Sequence, residues 1–243
     1  MIKTSIIKPK PIIAIDIDDV LGNYMSKVIE YGNVRFGTNL TSDDGAESWI
    51  EMFGVSPEQW VEGFNDFCEK TEWYRNEKPM QGAREVLEKL KANFKLVVVT
   101  SRGIELKQGT LDWLEENYGD VIDEVFFSGI YDNVDEAEDL HGLAKLTKAD
   151  KLQEIGVNYL IDDQPKHVNG AAELGIESLL FGDYGWSRDA EIVDGVIRVA
   201  DWGGGGEIFR SLMIPYCHYE RSEVIYSQYL LKYYHGRRTR IKF

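Results

Sequence analysis

Six short apolar runs punctuate this chain: "IIAID" (12–16), "KLVVVTS" (95–101), "DEVFFSG" (123–129), "NYLIDD" (158–163), "IESLLFG" (176–182) and "GVIRVAD" (195–201). They do not alternate apolar with polar, as half-wetted strands do. They suit strands covered on both faces, which means a parallel sheet packed between helices. The segments between them carry helical periodicity. "GAREVLEKLKANF" (82–94) puts Ala83, Val86, Leu87 and Leu90 on one stripe, and "LDWLEENYG" (111–119) stops at a glycine read as a cap. The alternation predicts an α/β fold built on a doubly wound parallel sheet.

One interval breaks the rhythm. The stretch between the first run and the second is far longer than a single crossover needs. Residues 22–79 show little strand character and hold Tyr24, Tyr31, Phe36, Trp49, Phe53, Trp60, Phe64, Phe67, Trp73 and Tyr74. Within them "SPEQWVEGFNDFCEK" (56–70) opens with Ser56 as an N-cap and Pro57 at the first helical position. The expected organisation is a catalytic core of residues 1–21 and 80–210, with a small helical cap (22–79) inserted after the first strand, above the sheet's C-terminal edge. "GGGG" (203–206) reads as a turn. Residues 211–243 are Tyr-rich, end basic, and are expected to be a peripheral helix or a disordered tail.

Charge narrows the partners. The chain has 42 acidic residues against 27 basic ones, a formal net charge of −15. Such a field disfavours duplex nucleic acid and anionic membrane surfaces. A small anionic substrate stays compatible if a metal ion and one or two cations reverse the sign locally. Cys68 and Cys217 have no metal-ligand spacing and read as reduced thiols. With no signal-like or membrane-length apolar run, the chain is expected to be cytoplasmic.

In a doubly wound sheet, ligands bind at the carboxyl ends of the strands. The first run ends in Asp16, Asp18 and Asp19, the second in Thr100, Ser101 and Arg102, and "NYLI" in Asp162 and Asp163. One Asp at a strand end is ordinary turn chemistry. Clusters closing two separate strands require a cation, and all-oxygen ligands select a hard one, Mg²⁺. "LTKADKLQEIG" (146–156) predicts a helix with Thr147 as N-cap, Asp150 completing a capping box and Gly156 as stop. Ala149, Leu152 and Ile155 mark its buried stripe. Lys148 falls on that side, and a lysine there needs something negative to face; Lys151 reads as solvated charge.

Together "DIDDVL", a Thr/Ser closing the second strand, a Lys opening a helix and "IDD" closing a later strand resemble the four ordered motifs of the haloacid dehalogenase-like phosphohydrolases. "DIDDVLGNY", "KPMQGAREVLEKL" leading to "VVVTSR", "YLIDDQPKHV", "LLFGDYGWSR" and "RVADWGG" are most similar to the cytosolic type C 5'-nucleotidases. The resemblance spans about residues 11–210. Asp19 departs from it, since the family usually has Gly there; the expectation is one more carboxylate near the metal.

The resemblance implies a Mg²⁺-dependent phosphomonoesterase that forms an aspartyl-phosphate. Asp16 is the nucleophile and Asp18 the acid/base. Thr100 and Lys148 steady the phosphoryl group, and Ser101 and Arg102 contact substrate. The metal is held by Asp16, the Asp18 main-chain carbonyl, and Asp162 or Asp163. Tyr24, eight residues past the nucleophile, is expected to stack on a base. The substrate class stays open between nucleoside monophosphates and other small esters such as sugar phosphates. Two non-catalytic readings, a phospho-receiver domain and a phosphate-binding module, fit less well, because the first crossover is too long for a receiver and no motif residue is missing.

Overall fold

The structure, a computed structural model, describes residues 9–46, 48–69, 71–103, 106–128 and 147–203, with the side chains of residues 71 and 72 left out. The expectations for residues 211–243, for Cys217 and for most of the Gly run fall outside them.

Six strands form one parallel sheet: β1 (Ile12–Ile15), β2 (Lys95–Thr100), β3 (Glu124–Phe127), β4 (Tyr159–Asp162), β5 (Glu177–Phe181) and β6 (Val196–Val199). Their spatial order is β3-β2-β1-β4-β5-β6. The chain therefore winds outward on one side through β2 and β3, then on the other through β4, β5 and β6. The order reverses between β1 and β4, where Ile13–Ile15 register against Tyr159–Ile161. A crevice opens outside the carboxyl ends at such a reversal.

Two-residue periodicity sorts the strands onto two cores. Ile13 and Ile15 of β1 join Leu96, Val98, Ile161 and Phe181 on one face. Helices α5 (Ala83–Lys91) and α6 (Lys107–Tyr118) cover it with Leu87, Leu90, Trp113 and Leu114. Ala14, Val97, Val99, Leu160 and Leu180 face the other way, against Leu152 of α7 (Lys148–Ile155) and Val168 and Ala171 of α8 (Pro165–Glu173). Both faces are dry, which is why the runs read as uniformly apolar.

Between β1 and β2 lie α1 (Tyr24–Phe36), α2 (Trp49–Phe53), α3 (Pro57–Glu69) and α4 (Thr71–Arg75). Helix α3 starts as expected: the Ser56 hydroxyl accepts from Gln59 N–H at 3.2 Å, and Gln59 Oε1 accepts from Ser56 N–H at 2.9 Å. These helices carry their own core, with Val28, Tyr31, Phe53, Phe67 and Tyr74 at its centre. Its rings meet mostly edge-on, as in Tyr31–Phe67 (5.4 Å) and Trp49–Trp60 (4.3 Å). The segment joins the sheet through two paired chains: Asn23 N–H donates to Lys78 C=O at 2.9 Å and Met80 N–H to Leu21 C=O at 2.7 Å.

One expected cap differs. Gly119 stays right-handed (φ −57°), and the turn is closed by Val121 N–H on Tyr118 C=O. A glycine serves there because a Cβ would lie 2.7 Å from the Glu115 carbonyl oxygen. No helix among the described residues is long and apolar enough to cross a membrane.

The end of the described chain is fastened at Trp202. Its indole N–H donates to Val20 C=O at 2.7 Å, and its ring packs 5.2 Å from Phe181, fully buried. Trp202→Ala is expected to cost ~3–5 kcal/mol by lost burial and an unfilled cavity. Urea unfolding reads this directly, and a loss below about 1 kcal/mol would show the anchor to be dispensable.

Candidate active site

Asp16 is the first residue past β1, and its N–H still donates to Ile161 C=O at 2.9 Å. Strand alternation sends Ile17 into the core and turns Asp16 and Asp18 the other way. The chain then tightens: the N–H groups of Val20, Leu21 and Gly22 all donate to Ile17 C=O. Asp19 sits inside this turn at φ 56°, left-handed, a conformation that Gly adopts freely and Asp tolerates. Its carboxylate accepts Met25 N–H at 3.1 Å with both oxygens, in the first turn of α1. The extra carboxylate lies near enough to the cluster to act on Asp163, and its oxygens are taken by the unpaired N–H groups that open α1.

Lys148 is the first residue of α7, fixed by a capping box: Asp150 Oδ2 accepts Thr147 N–H at 2.7 Å and Thr147 Oγ1 accepts Asp150 N–H at 3.1 Å. Gly156 ends the helix left-handed at φ 75°. The Lys148 ammonium is buried and donates to Asp16 Oδ1 at 2.5 Å and to Asp162 Oδ2 at 2.6 Å. Lys151 pairs with Glu154 at the surface, as solvated charge should.

Asp162 closes β4 and Asp163 follows. Asp162 Oδ1 accepts Gln164 N–H at 2.9 Å, and His167 Nδ1 lies 3.2 Å from both its oxygens. Asp163 Oδ2 accepts the Gln164 amide N–H and the Trp186 indole N–H, each at 2.8 Å. Asp16, Asp162 and Asp163 offer carboxylate oxygens all within 4.8 Å of one another, and all three residues are buried. An octahedral Mg²⁺ with ligands at about 2.1 Å places them roughly 3 to 4.2 Å apart, so this oxygen set fits one such ion.

Burial raises Asp16 to about 6, against the pull of Lys148. Burial, then Asp162, pushes Asp163 well above the usual range. Burial acts on Asp162 too, but Lys148 and His167 override it and hold its carboxyl low. For Lys148 burial works against the charge; Asp16 and Asp162 overcome it and keep the ammonium protonated.

Thr100, fully buried, closes β2, and its Oγ1 accepts Arg102 N–H at 3.1 Å. Ser101 Oγ lies 3.4 Å from Ser128 Oγ. Arg102 is not placed as a substrate contact. Its guanidinium donates to Asp18 Oδ1 from Nε (2.9 Å) and Nη2 (2.5 Å), and from Nη2 to Glu77 Oε1 (2.6 Å). From Nη1 it reaches Tyr74 Oη (2.8 Å) and Thr110 Oγ1 (3.4 Å). Every one of its N–H donors thus has a protein partner. The side chain is only 2% exposed, between the rings of Tyr24 (5.4 Å) and Tyr74 (4.7 Å). Tyr24 itself is half-buried, with Trp49 at 6.1 Å and Phe67 at 5.9 Å.

Sequence reasoning missed Glu77, Tyr74, His167 and Trp186. His167 carried a signal, because Pro165 at the helix start fixes the third helical residue beside the end of β4. Glu77 carried none.

Acids from two strands and a buried lysine thus meet at the reversal point of a doubly wound sheet. The fold is similar to a haloacid dehalogenase-like hydrolase from Streptococcus pneumoniae (TM-score 0.58, 16% identity, covering 84% of this chain and 98% of that one). It is also similar to a predicted phosphatase from Clostridium acetobutylicum (0.54, 16%, 85% and 99%). A third likeness is a Bacillus subtilis chain described as a HAD-hydrolase bound to magnesium (0.53, 12%, 85% and 100%). Residues 10–127 match the family model described as "5' nucleotidase, deoxy (Pyrimidine), cytosolic type C protein". No curated protein matches the chain. Over residues 10–127 the chain is thus similar to the type C nucleotidase family, and over most of its length it shares the fold of haloacid dehalogenase-like hydrolases.

Lys148→Met should destabilise the metal-free protein by ~3–5 kcal/mol, because it strands two buried carboxylates. Urea unfolding in chelator is the measurement. The loss should shrink as pH falls, since a proton on Asp16 removes one stranded charge. A pH-independent loss would show that packing, not charge, is what Lys148 supplies.

Proposed function

We propose that this chain is a Mg²⁺-dependent phosphomonoesterase that works through an aspartyl-phosphate on Asp16, acting on (deoxy)nucleoside 5'-monophosphates. The observation that carries the reading is the convergence of Asp16, Lys148, Asp162 and Asp163 at the β1/β4 reversal. Asp16, Asp162 and Asp163, with the Asp18 main-chain carbonyl, would hold the ion. When bound, Mg²⁺ supplies positive charge that lets an anionic phosphate approach an anionic nucleophile.

The protein's own groups divide the work. The Asp16 carboxylate oxygen attacks phosphorus and the ester oxygen leaves, taking a proton from Asp18. Water then attacks the phosphoryl group, Asp18 takes the proton back, and Asp16 is released with inorganic phosphate. Arg102 N–H occupies a lone pair of the Thr100 hydroxyl, so the hydroxyl proton is the part of Thr100 that serves a phosphoryl oxygen. The Lys148 ammonium offsets charge on Asp16 and on the transferring group. The helical segment of residues 22–79 acts as a cap, and Tyr24 on its entering chain stacks on the base. The family match over residues 10–127 supports the nucleotide reading.

A panel of nucleoside monophosphates and sugar phosphates, assayed with Mg²⁺ and with chelator, tests this proposal. Turnover should require Mg²⁺, favour nucleotides and vanish in Asp16→Asn together with the covalent intermediate. Retained turnover in Asp16→Asn would remove the nucleophile, and a preference for a sugar phosphate would remove the nucleotide. Tyr24→Ala should lower kcat/KM for the preferred nucleotide ~5- to 150-fold, matching the ~1–3 kcal/mol of one stacking contact. Hydrolysis of a small aryl phosphate should barely change. Equal losses on both substrates would make Tyr24 a packing residue of the aromatic core.

A further inference from the structure

The cation that follows the second strand turns away from substrate and toward an acid. Two N–H groups of Arg102 converge on one oxygen of Asp18, at 2.9 and 2.5 Å, and a third grips Glu77 at 2.6 Å. Asp18 nevertheless keeps 28% of its side chain exposed, whereas Glu77 keeps 1%. Both N–H groups that meet Asp18 take Oδ1, and neither takes Oδ2. Two charge-assisted bonds on one oxygen hold Oδ1 in place.

Glu77 is the stranger half of the arrangement. It is buried on the chain that returns from the helical segment, next to the Lys78 C=O bonded by Asn23 N–H. Among the described residues its Oε2 has no hydrogen-bond partner. That oxygen lies so near the opposite chain that a Cβ on Gly22 would meet it at 2.7 Å. Leaving a buried carboxylate oxygen unsatisfied is costly. Tyr74 Oη, also from the helical segment, takes a further Arg102 N–H and bonds Thr110. Three groups of the helical segment, Tyr24, Tyr74 and Glu77, therefore hold the guanidinium in place.

We propose that Arg102 and Glu77 form a positioning clamp that aims the free oxygen of Asp18 at the leaving group, and that the helical segment sets this aim through Glu77. Neither residue touches the substrate. Arg102 acts through Asp18 and, by its backbone N–H, through Thr100; Glu77 acts through Arg102. The inference rests on the phosphatase reading above, in which Asp18 is the proton donor.

A mis-aimed acid harms esters that need the proton and spares esters that do not. Glu77→Ala should lower the single-turnover rate of phosphoryl transfer from a nucleoside monophosphate by ~10- to 100-fold, the scale of a small misplacement of a reacting group. For 4-nitrophenyl phosphate, whose leaving group needs no proton, the burst rate should fall by less than ~3-fold. Glu77→Gln keeps an acceptor for Arg102 and should recover most of the loss. In an Asp18→Asn background, Glu77→Ala should add nothing further, because a clamp without its acid has no object. Should Glu77→Ala not fold, Arg102→Lys, which loses the fork but keeps the charge, takes its place in the cycle. Equal losses on both substrates, or a full additional loss in the Asp18→Asn background, would overturn the clamp and leave the phosphatase intact. Turnover surviving Asp16→Asn would instead overturn the aspartyl-phosphate reading on which the inference rests.

Discussion

The contact on which the site depends is a single ammonium shared by two carboxylates from adjacent parallel strands. Asp16 and Asp162 continue the ladder of β1 and β4 and would face each other as bare charges without Lys148. Charges a few ångströms apart near a protein interior interact by about 4 kcal/mol, while burying each ion costs several. One lysine can offset the repulsion of that pair but not that of Asp163 as well. The cluster is therefore a poor device for stability. Its geometry makes sense as chemistry, with an excess of negative charge held ready at the one point of the sheet where backbone connections leave a crevice.

That much was legible in the sequence, for a definite reason. The uniformly apolar runs report burial on both faces, and the acids mark where each run meets the crevice. Lys148 could be chosen over Lys151 because a helical wheel put it on the apolar side, where a cation needs an anion; the structure gives Lys148 two acids and leaves Lys151 with Glu154. The helix starts at Ser56 and Thr147 followed from capping chemistry alone, which acts over three residues and so survives in the sequence.

What could not be read depends on contacts between distant residues. Glu77 lies in "RNEKP", which reads as an exposed polar turn, and its burial follows only once two chains join the helical segment to the sheet. Trp186 reaches Asp163 from the loop after β5, stacked on Tyr184 at 4.5 Å, with no sequence spacing to announce it. Asp19 could be placed near the cluster from its sequence position but not aimed, because the backbone it occupies is left-handed, and that geometry, not its charge, decides where the carboxylate points. Gly119 likewise carries the residue type of a cap without its conformation.

Arg102 shows how donor accounting separates a ligand-binding cation from a structural one. A guanidinium beside a nucleophile looks like a phosphate clamp, yet each of its N–H groups already has a partner in Asp18, Glu77, Tyr74 or Thr110. To bind phosphate it would have to abandon the buried Glu77 or the part-buried Asp18, and stranding a buried carboxylate is unfavourable. Lys148 gives two of its three N–H donors to Asp16 and Asp162. Asp16, Asp18, Asp162, Asp163 and Glu77 thus outnumber Arg102 and Lys148, both of which already pair with carboxylates. Such an excess of negative charge would repel a phosphate. This imbalance is the physical ground for the proposed dependence on a divalent ion, because a hard cation on the oxygens of Asp16, Asp162 and Asp163 is what reverses the sign of the site.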